Sequence, residues 1–374
     1  MLAARFERII FLVDMDSFYA SCEMSQRPDL KSQPFVVGAD PLEGKGRGVV
    51  LACNYPARKF GLRSGMPIST AWKLCPQAHF CPPRFELYEE VSRRVMSLLK
   101  MYADKLEQVS IDEAYLEVTD RVRILVEEGG EKNAVESIQS LSDSIKKSIS
   151  EKEKITCSIG VADSKIVAKI AADVQKPNGL TIVTPEKTLD FLGTLEVSKI
   201  PGVGHVSQKL LLDKLQVKTI ADLRNVSMED LKGRFGKSSM WLYNVARGID
   251  TSPVVERSEP VSISGETTFF EDLSDYSKVR AVMQDVADDV HGRTLLDGFV
   301  FKAVGIKIRF SGFETHTRSK TLNSYTNSKE ILNRETEKLL SEFYNSGKKV
   351  RLIGLRVSTL QKDDNGQKTL LEFE

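Results

Sequence analysis

The feature that most constrains this chain is an apolar run, Ile9-Ile10-Phe11-Leu12-Val13, that stops abruptly at Asp14-Met15-Asp16. Such a run fits a buried strand, and its acidic end must lie where the chain turns. A second acid pair, Asp112-Glu113, comes about a hundred residues later, flanked by Lys105-Leu106-Glu107-Gln108-Val109-Ser110-Ile111 and Ala114-Tyr115-Leu116-Glu117-Val118. Both clusters read as strand ends or hairpin bends, where neighbouring strands can bring the carboxylates together. Like charges that close raise one another's pKa unless a cation neutralises them. Hard oxygen ligands suit Mg2+, which keeps waters and shares itself with phosphates. A strand puts neighbours on opposite faces, so Asp112 and Glu113 share a site only if the backbone bends there. Taken alone, either cluster reads more simply as solvated acids after a buried strand.

At 374 residues the chain has room for two to four domains and a substantial core. Its 41% hydrophobic and 28% charged content is that of a soluble globular protein. No segment approaches the ~20 apolar residues of a membrane span, and residues 9–13 are too short for a signal peptide. The five cysteines form no CxxC pair and the four histidines do not cluster with them. Structural zinc and a disulfide framework are thereby disfavoured, and a reducing cytosol is expected. With a net charge of only +1, a polyanion partner requires a local positive surface.

Residues 1 to about 183 alternate strand-like and helix-like stretches. Residues 18–24 read as a helix, 33–38 as a strand, and 44–48 as a turn into the apolar run 49–52. Helical periodicity spans 85–105 and recurs over 138–149. Residues 155–161 are β-branched, and 164–175 carry a helical face stopped by Pro177-Asn178-Gly179. The chain then turns helical and short-looped over 184–250, and 251–260 reads as a linker. From 261 the order is strand, helix, strand, strand, helix, strand, which predicts a small βαββαβ domain with its helices on one sheet face. Strands are expected near 261–270, 303–310, 315–322 and 350–360, helices near 276–296 and 328–344, and a polar tail from 361.

Ser17-Phe18-Tyr19-Ala20 follows the first acids directly. Its rings read as core, or as rings laid against a sugar or base. Asn54-Tyr55-Pro56-Ala57-Arg58-Lys59-Phe60-Gly61 sets a hydroxyl, a guanidinium and an ammonium in one turn. Arg forks well onto phosphate oxygens, although an exposed basic helix start looks the same. Lys176 is a point charge for a triphosphate or for a helix end. Ile200-Pro201-Gly202-Val203-Gly204 leaves backbone N–H groups open ahead of an amphipathic helix over 205–215. With Lys209, Lys214 and Lys218 it resembles a helix-hairpin-helix, a binder of DNA backbone; Gly233-Arg234-Phe235-Gly236-Lys237-Ser238 reads as a degenerate second half. In the last domain acids gather at Asp285, Asp288 and Asp289, while Lys302, Lys307, Arg309, Arg318, Lys320, Arg351 and Arg356 lie on or beside strands. That distribution fits a basic sheet face tracking phosphates, or a solvated face of mixed charge.

Six stretches in order resemble the Y-family DNA polymerases, in their DinB (DNA polymerase IV) branch. They are residues 13–20, 54–61, 110–116, Lys169-Ile170-Ala171-Ala172-Asp173, Lys176-Pro177-Asn178-Gly179 and 200–204, and the likeness runs from Ile9 to about Leu360. The resemblance implies an α+β multidomain, right-hand polymerase. Its ferredoxin-like palm takes residues 1–17 and 84–183, small fingers 18–83, a helix-hairpin-helix thumb 184–250, a linker 251–260, and a little-finger domain 261–360. It further implies a low-fidelity, template-directed polymerase for translesion synthesis, a cytoplasmic, nucleoid-associated monomer acting on primer-template DNA and dNTP. Two Mg2+ ions are held by Asp14, Asp112, Glu113 and the Met15 carbonyl, leaving Asp16 outside the ligand set. Tyr19 matches the steric gate against a ribose 2′-hydroxyl, with Phe18 beside it; Tyr55, Arg58 and Lys176 match triphosphate contacts. A small roof from Val49 and Gly65 tolerates bulky templates. Gly202, Gly204, Lys209, Lys307, Arg309, Arg318, Lys320 and Arg356 are the expected DNA contacts. Two departures stand out: Ala52 replaces a frequent hydroxyl residue, and the clamp-like tail (Gln367, Leu370, Phe373) has Glu374 at its second aromatic position. From the residues alone, a two-metal nucleotidyl cyclase and a non-catalytic DNA-binding module stay open.

Overall fold

The computed structural model describes residues 6–127, 133–256 and 259–363. One compact unit ends at residue 257 and a second begins at 258. The first holds strands β1 (Ile10–Met15), β2 (Phe35–Gly38), β3 (Val50–Cys53), β4 (His79–Cys81), β5 (Lys105–Gln108), β6 (Glu113–Glu117), β7 (Cys157–Ala162) and β8 (Leu180–Ile182). Five of them form a sheet in the order β5-β6-β1-β7-β8, and β3-β2-β4 form a smaller one. β1 runs antiparallel to both neighbours, and only β8 joins the larger sheet in parallel.

The unbroken apolar run is explained by burial on two sides. Phe11, Val13 and Met15 enter a core with the helices Phe85–Lys100 and Ala134–Glu153. Ile10 and Leu12 enter another with the helix Lys165–Ala172 and the helices that follow residue 187. A strand covered on both faces needs no polar alternation. Met24, Leu30 and Phe35 extend the first core, while Val36, Ala57, Ile68 and Ala71 build a small separate one around β2.

Some expected boundaries move. The helix expected over 85–105 ends at Lys100, and Lys105 already opens β5. Met101 and Tyr102 donate to Leu98 and Leu99, a tightened last turn that carries the periodic pattern past the helix. The helix expected over 164–175 likewise ends at Ala172 with two such bonds. Between 251 and 256 the chain is docked on the first unit. Val254 is buried, the Val255 N–H donates to Glu107 (3.1 Å), and Lys165 donates to the Pro253 carbonyl (3.4 Å).

The second unit is an all-antiparallel sheet in the order β11-β10-β12-β9, built from β9 (Ser262–Leu273), β10 (Phe299–Phe310), β11 (Thr315–Thr326) and β12 (Val350–Lys362). Val304, Ile306, Ile308 and Phe310 alternate into a core with Val279, Met283, Val290, Leu332 and Leu340 of the helices Tyr276–Leu296 and Lys329–Ser341. Every strand runs beyond its expected range; β11 and β12 gain polar residues, whereas β10 begins earlier, at the apolar Phe299-Val300-Phe301. β12 also takes Gln361 and Lys362 from the expected tail. Among the described residues, no helix is long and apolar enough to cross a membrane. All five cysteines are unpaired.

Candidate catalytic cleft

β1 places Asp14 in register with Glu113 of β6 on one side and Ser158 of β7 on the other. Residues paired in register share a face, so Asp14 and Glu113 both project toward the Lys165–Ala172 helix. Asp112 precedes β6 in the turn from β5. There the N–H groups of Val109 and Ser110 both donate to the Glu113 carbonyl (3.0 and 3.2 Å), and the Met15 N–H donates to the Asp112 carbonyl (2.9 Å). This is the bend that two adjacent acids need. Ser92 of the Phe85–Lys100 helix fixes the turn through the Ile111 carbonyl (2.5 Å).

Each acid is turned to a protein partner. Lys176 Nζ lies 2.7 Å from Asp14, Lys169 Nζ lies 2.6 and 2.7 Å from the two oxygens of Glu113, and Ser110 donates to Asp112 (2.5 Å). Burial pushes Asp14 up to about 6; Lys176 opposes this, while Asp112 and Glu113 add to it. Burial works to lower the Lys176 pKa, but Asp14 and Asp173 outweigh it and hold the ammonium charged. As donors, three carboxylates around one strand register and hairpin turn suit a hard divalent cation. Among the described residues, however, no three acidic, His or Cys side chains converge closely enough to hold one. Asp14 and Glu113 must leave their lysines to do so.

Asp16 is spent elsewhere. Nearly fully buried, its carboxylate accepts from Thr156 (2.7 Å), Ser158 (2.8 Å) and the Asn178 N–H (2.8 Å), with the Tyr55 hydroxyl at 3.5 Å. The next residue, Ser17, takes a left-handed backbone (φ 48) and swings the Phe18–Gln26 helix off the strand.

Asp14, Asp112 and Met15 line a cleft of about 390 Å³ together with Phe18, Tyr19, Tyr55, Arg58 and Lys176. Glu113, paired with Lys169, is not part of its lining. Asn54 holds the turn that presents Tyr55 and Arg58. Its Oδ1 accepts from the N–H groups of Ala57 and Phe35 (3.0 Å each), and its amide donates to the Gln33 carbonyl (2.8 Å). Arg58 lies against the Tyr55 ring (4.5 Å) and donates to Ser17 Oγ (2.9 Å). Burial, then Asp16, pushes the Tyr55 hydroxyl up to about 12. Ala52 and Ser64 are on the cleft wall, so Ser64 offers a hydroxyl where Ala52 has none. Val49 and Gly65 lie outside the lining; Leu51 is there instead.

Gly202 has φ +91, and the Trp241 ring stands 3.2 Å from where a Cβ would be. Gly204 begins the helix His205–Leu215, on which Lys209 is exposed. In the second unit, Lys307 is in register with Gly354 and Arg356 with Gly305, on the sheet face opposite the helices. A trough of about 530 Å³ runs there over Gly305, Gly354, Ser264 and Ser319. Arg309 shares this face and bonds Thr315 (2.8 Å). The side chains of Arg318 and Lys320 do not join them, although the Arg318 backbone borders the trough. They are in register with Ile306 and Val304, on the helix side, and Arg318 donates to Glu342 (2.8 Å). The expected clamp residues Gln367, Leu370 and Phe373 lie outside the described residues.

Sequence reasoning gave no role to Lys169 or Asn54. Lys165 and Lys169, one turn apart on a mostly apolar helix, are a readable sign that buried acids face that helix.

A model of the impB/mucB/samB family matches residues 13–173, and a model of that family's C-terminal domain matches 260–370. A model described as the DNA polymerase-iota thumb domain matches 198–250. DNA polymerase IV 2 of Methanosarcina mazei is 42% identical over 366 residues, 98% of this chain and 96% of that protein. DNA polymerase IV of Clostridioides difficile is 37% identical over 98% of this chain and 97% of its own length. Among solved structures, a Y-family chimera of Dbh and Dpo4 gives a TM-score of 0.82 at 31% identity, covering 94% of this chain and 98% of that one. The insertion ternary complex of Dbh DNA polymerase gives 0.65 at 31% identity over the same shares.

Proposed function

This chain belongs to the Y-family DNA polymerases, in their DNA polymerase IV branch, and from that premise we propose that it joins dNTPs to a primer 3′-hydroxyl by two-Mg2+ chemistry, across damaged as well as intact template bases. It is a DNA-directed DNA polymerase. The observation that carries the finer reading is the cleft in which Asp14 and Asp112 meet Tyr19, Tyr55, Arg58 and Lys176.

Asp14, Asp112, Glu113 and the Met15 carbonyl are the groups to hold Mg2+. When bound, the metal supplies a lowered pKa at the 3′-hydroxyl and charge neutralisation on the triphosphate. Arg58 and Lys176 bind phosphate oxygens, the first as a fork and the second as a point charge. Tyr55 donates its hydroxyl to the same triphosphate. Tyr19, with Phe18 beside it, fills the space of a ribose 2′-hydroxyl. The organisation supported is palm 1–17 and 84–183, fingers 18–83, thumb 184–250 and little finger 261–360. Amides at Gly202 and Gly204, with Lys209, suit duplex backbone. Lys307, Arg309 and Arg356 suit it in the second unit. The resulting low-fidelity enzyme acts on chromosomal DNA in the cytoplasm.

Primer extension on undamaged and abasic templates, with each dNTP singly, tests this. Incorporation is expected on both templates, and Asp112→Ala is expected to lower it by on the order of a hundredfold or more. Undiminished incorporation by Asp112→Ala ends the assignment of the acids. Arrest at the abasic site ends the bypass reading.

A further inference from the structure

Tyr19 stands in the first turn of the Phe18–Gln26 helix, and its ring lies flat on Tyr88, with centroids 4.6 Å apart and 21° between planes. Tyr88 is fully buried, and its hydroxyl donates to Glu23 Oε1 (2.7 Å). Glu23 is only 3% exposed and sits one helical turn beyond Tyr19, on the same face of the same helix. Arg84 donates Nε to Glu23 Oε1 (3.0 Å) and Nη2 to Oε2, and reaches Gln26 as well (3.0 Å). Phe85 closes edge-on against both tyrosine rings. One side chain, Tyr88, therefore supports the ring at position 19 and is anchored to the carboxylate at position 23.

A buried carboxylate is a costly way to join two helices, which an apolar contact would hold as well. What it adds is stiffness. Tyr88 cannot slide or turn without leaving Glu23 short of a donor in a dry environment. Glu23, Arg84 and Tyr88 are all absent from the cleft lining, and the lining residue on which Tyr88 stacks is Tyr19. Ribose and deoxyribose differ by one oxygen, and a ring rejects that oxygen only if it does not yield.

We propose that Glu23, Tyr88 and Arg84 are positioning residues: a buried brace that holds Tyr19 unyielding and so sets how strongly the enzyme rejects ribonucleotides. This rests on the reading of Tyr19 as the sugar gate.

The test is single-nucleotide primer extension by the full-length chain, comparing kcat/KM for dNTP with that for rNTP. Tyr19→Ala is the reference and loses most of the discrimination. Tyr88→Leu removes the stacked ring and lowers the ratio about tenfold, chiefly through a lower KM for rNTP, with dNTP incorporation within about threefold of wild type. Tyr88→Phe and Glu23→Gln keep the ring but weaken its anchor, and each lowers the ratio about threefold. These two conservative variants decide the matter if Tyr88→Leu does not fold. Wild-type ratios in both, with the ratio lost in Tyr19→Ala, reduce the brace to packing and overturn the proposal. A wild-type ratio in Tyr19→Ala overturns the gate reading itself, and the brace with it.

Discussion

Asp14 is a carboxylate whose burial outweighs the lysine beside it, and this has a measurable sign. Its native pKa, about 6, lies above its ordinary 3.8, so between those values the native state binds more protons than the unfolded chain. Its contribution to stability is fully present below 3.8 and is lost as pH rises through about 6. In EDTA, the unfolding free energy of wild type minus that of Asp14→Asn should fall by about 2 kcal/mol from pH 4 to pH 7. Urea titrations at the two pH values check this, and a constant difference refutes it. Asp16 acts instead through its hydrogen bonds. Asp16→Ala leaves the donors on Thr156, Ser158 and Asn178 unpaired in the core and should cost about 3 kcal/mol in the same assay. Spacing made Asp14 and Asp16 look alike; what separates them is that β1 ends at Met15 and Ser17 reverses the backbone. Lys169 left a readable sign in its spacing from Lys165, but which acid it meets was not legible, since its partner Glu113 lies 56 residues away in sequence.

Two elements present the proposed triphosphate and duplex contacts, and each hangs on one residue. Asn54 caps the Tyr55–Arg58 helix and ties it to Phe35 and Gln33. Asn54→Ala should cost about 2 kcal/mol and raise the KM for dNTP severalfold with a smaller change in kcat, read from steady-state extension. Gly202→Ala forces a side chain into a left-handed turn against Trp241 and should weaken binding to blunt duplex about tenfold, measured by fluorescence anisotropy at fixed salt. The glycine motif and its following helix could be read directly, because backbone freedom leaves a mark in residue type. Strand register could not. Arg318 and Lys320 look like neighbours of Lys307 and Arg309, yet a one-residue step puts them on the opposite face. β9 to β12 were found, but shortened: β11 and β12 end in polar residues, and the apolar start of β10 at Phe299 was not assigned to the strand.

The βαββαβ order of the second unit and the succession of helices after residue 187 were legible from periodicity alone. How the cores are shared was not, since hydrophobic pattern marks a buried face without naming what covers it. The buried side chains of the helices between Thr188 and Val245 join one cluster with the Lys165–Ala172 helix and with Ile10, Leu12 and Tyr115 of the larger sheet, so that region has no interior separate from the sheet's. The second unit does have one. A fragment ending at residue 257 should therefore unfold cooperatively and still incorporate dNTPs, with a KM for primer-template at least about tenfold higher than the full chain. A fragment ending at residue 183 should not fold; circular-dichroism melts of both check the pair. The same arrangement bears on heredity. Recombination that traded only residues 184–250 between two relatives would graft half an interior onto a stranger's sheet. A crossover near 257 hands over a finished body. Descent can thus reshuffle the piece after 257 far more readily than the helices before it, and lineages should diverge by that exchange first.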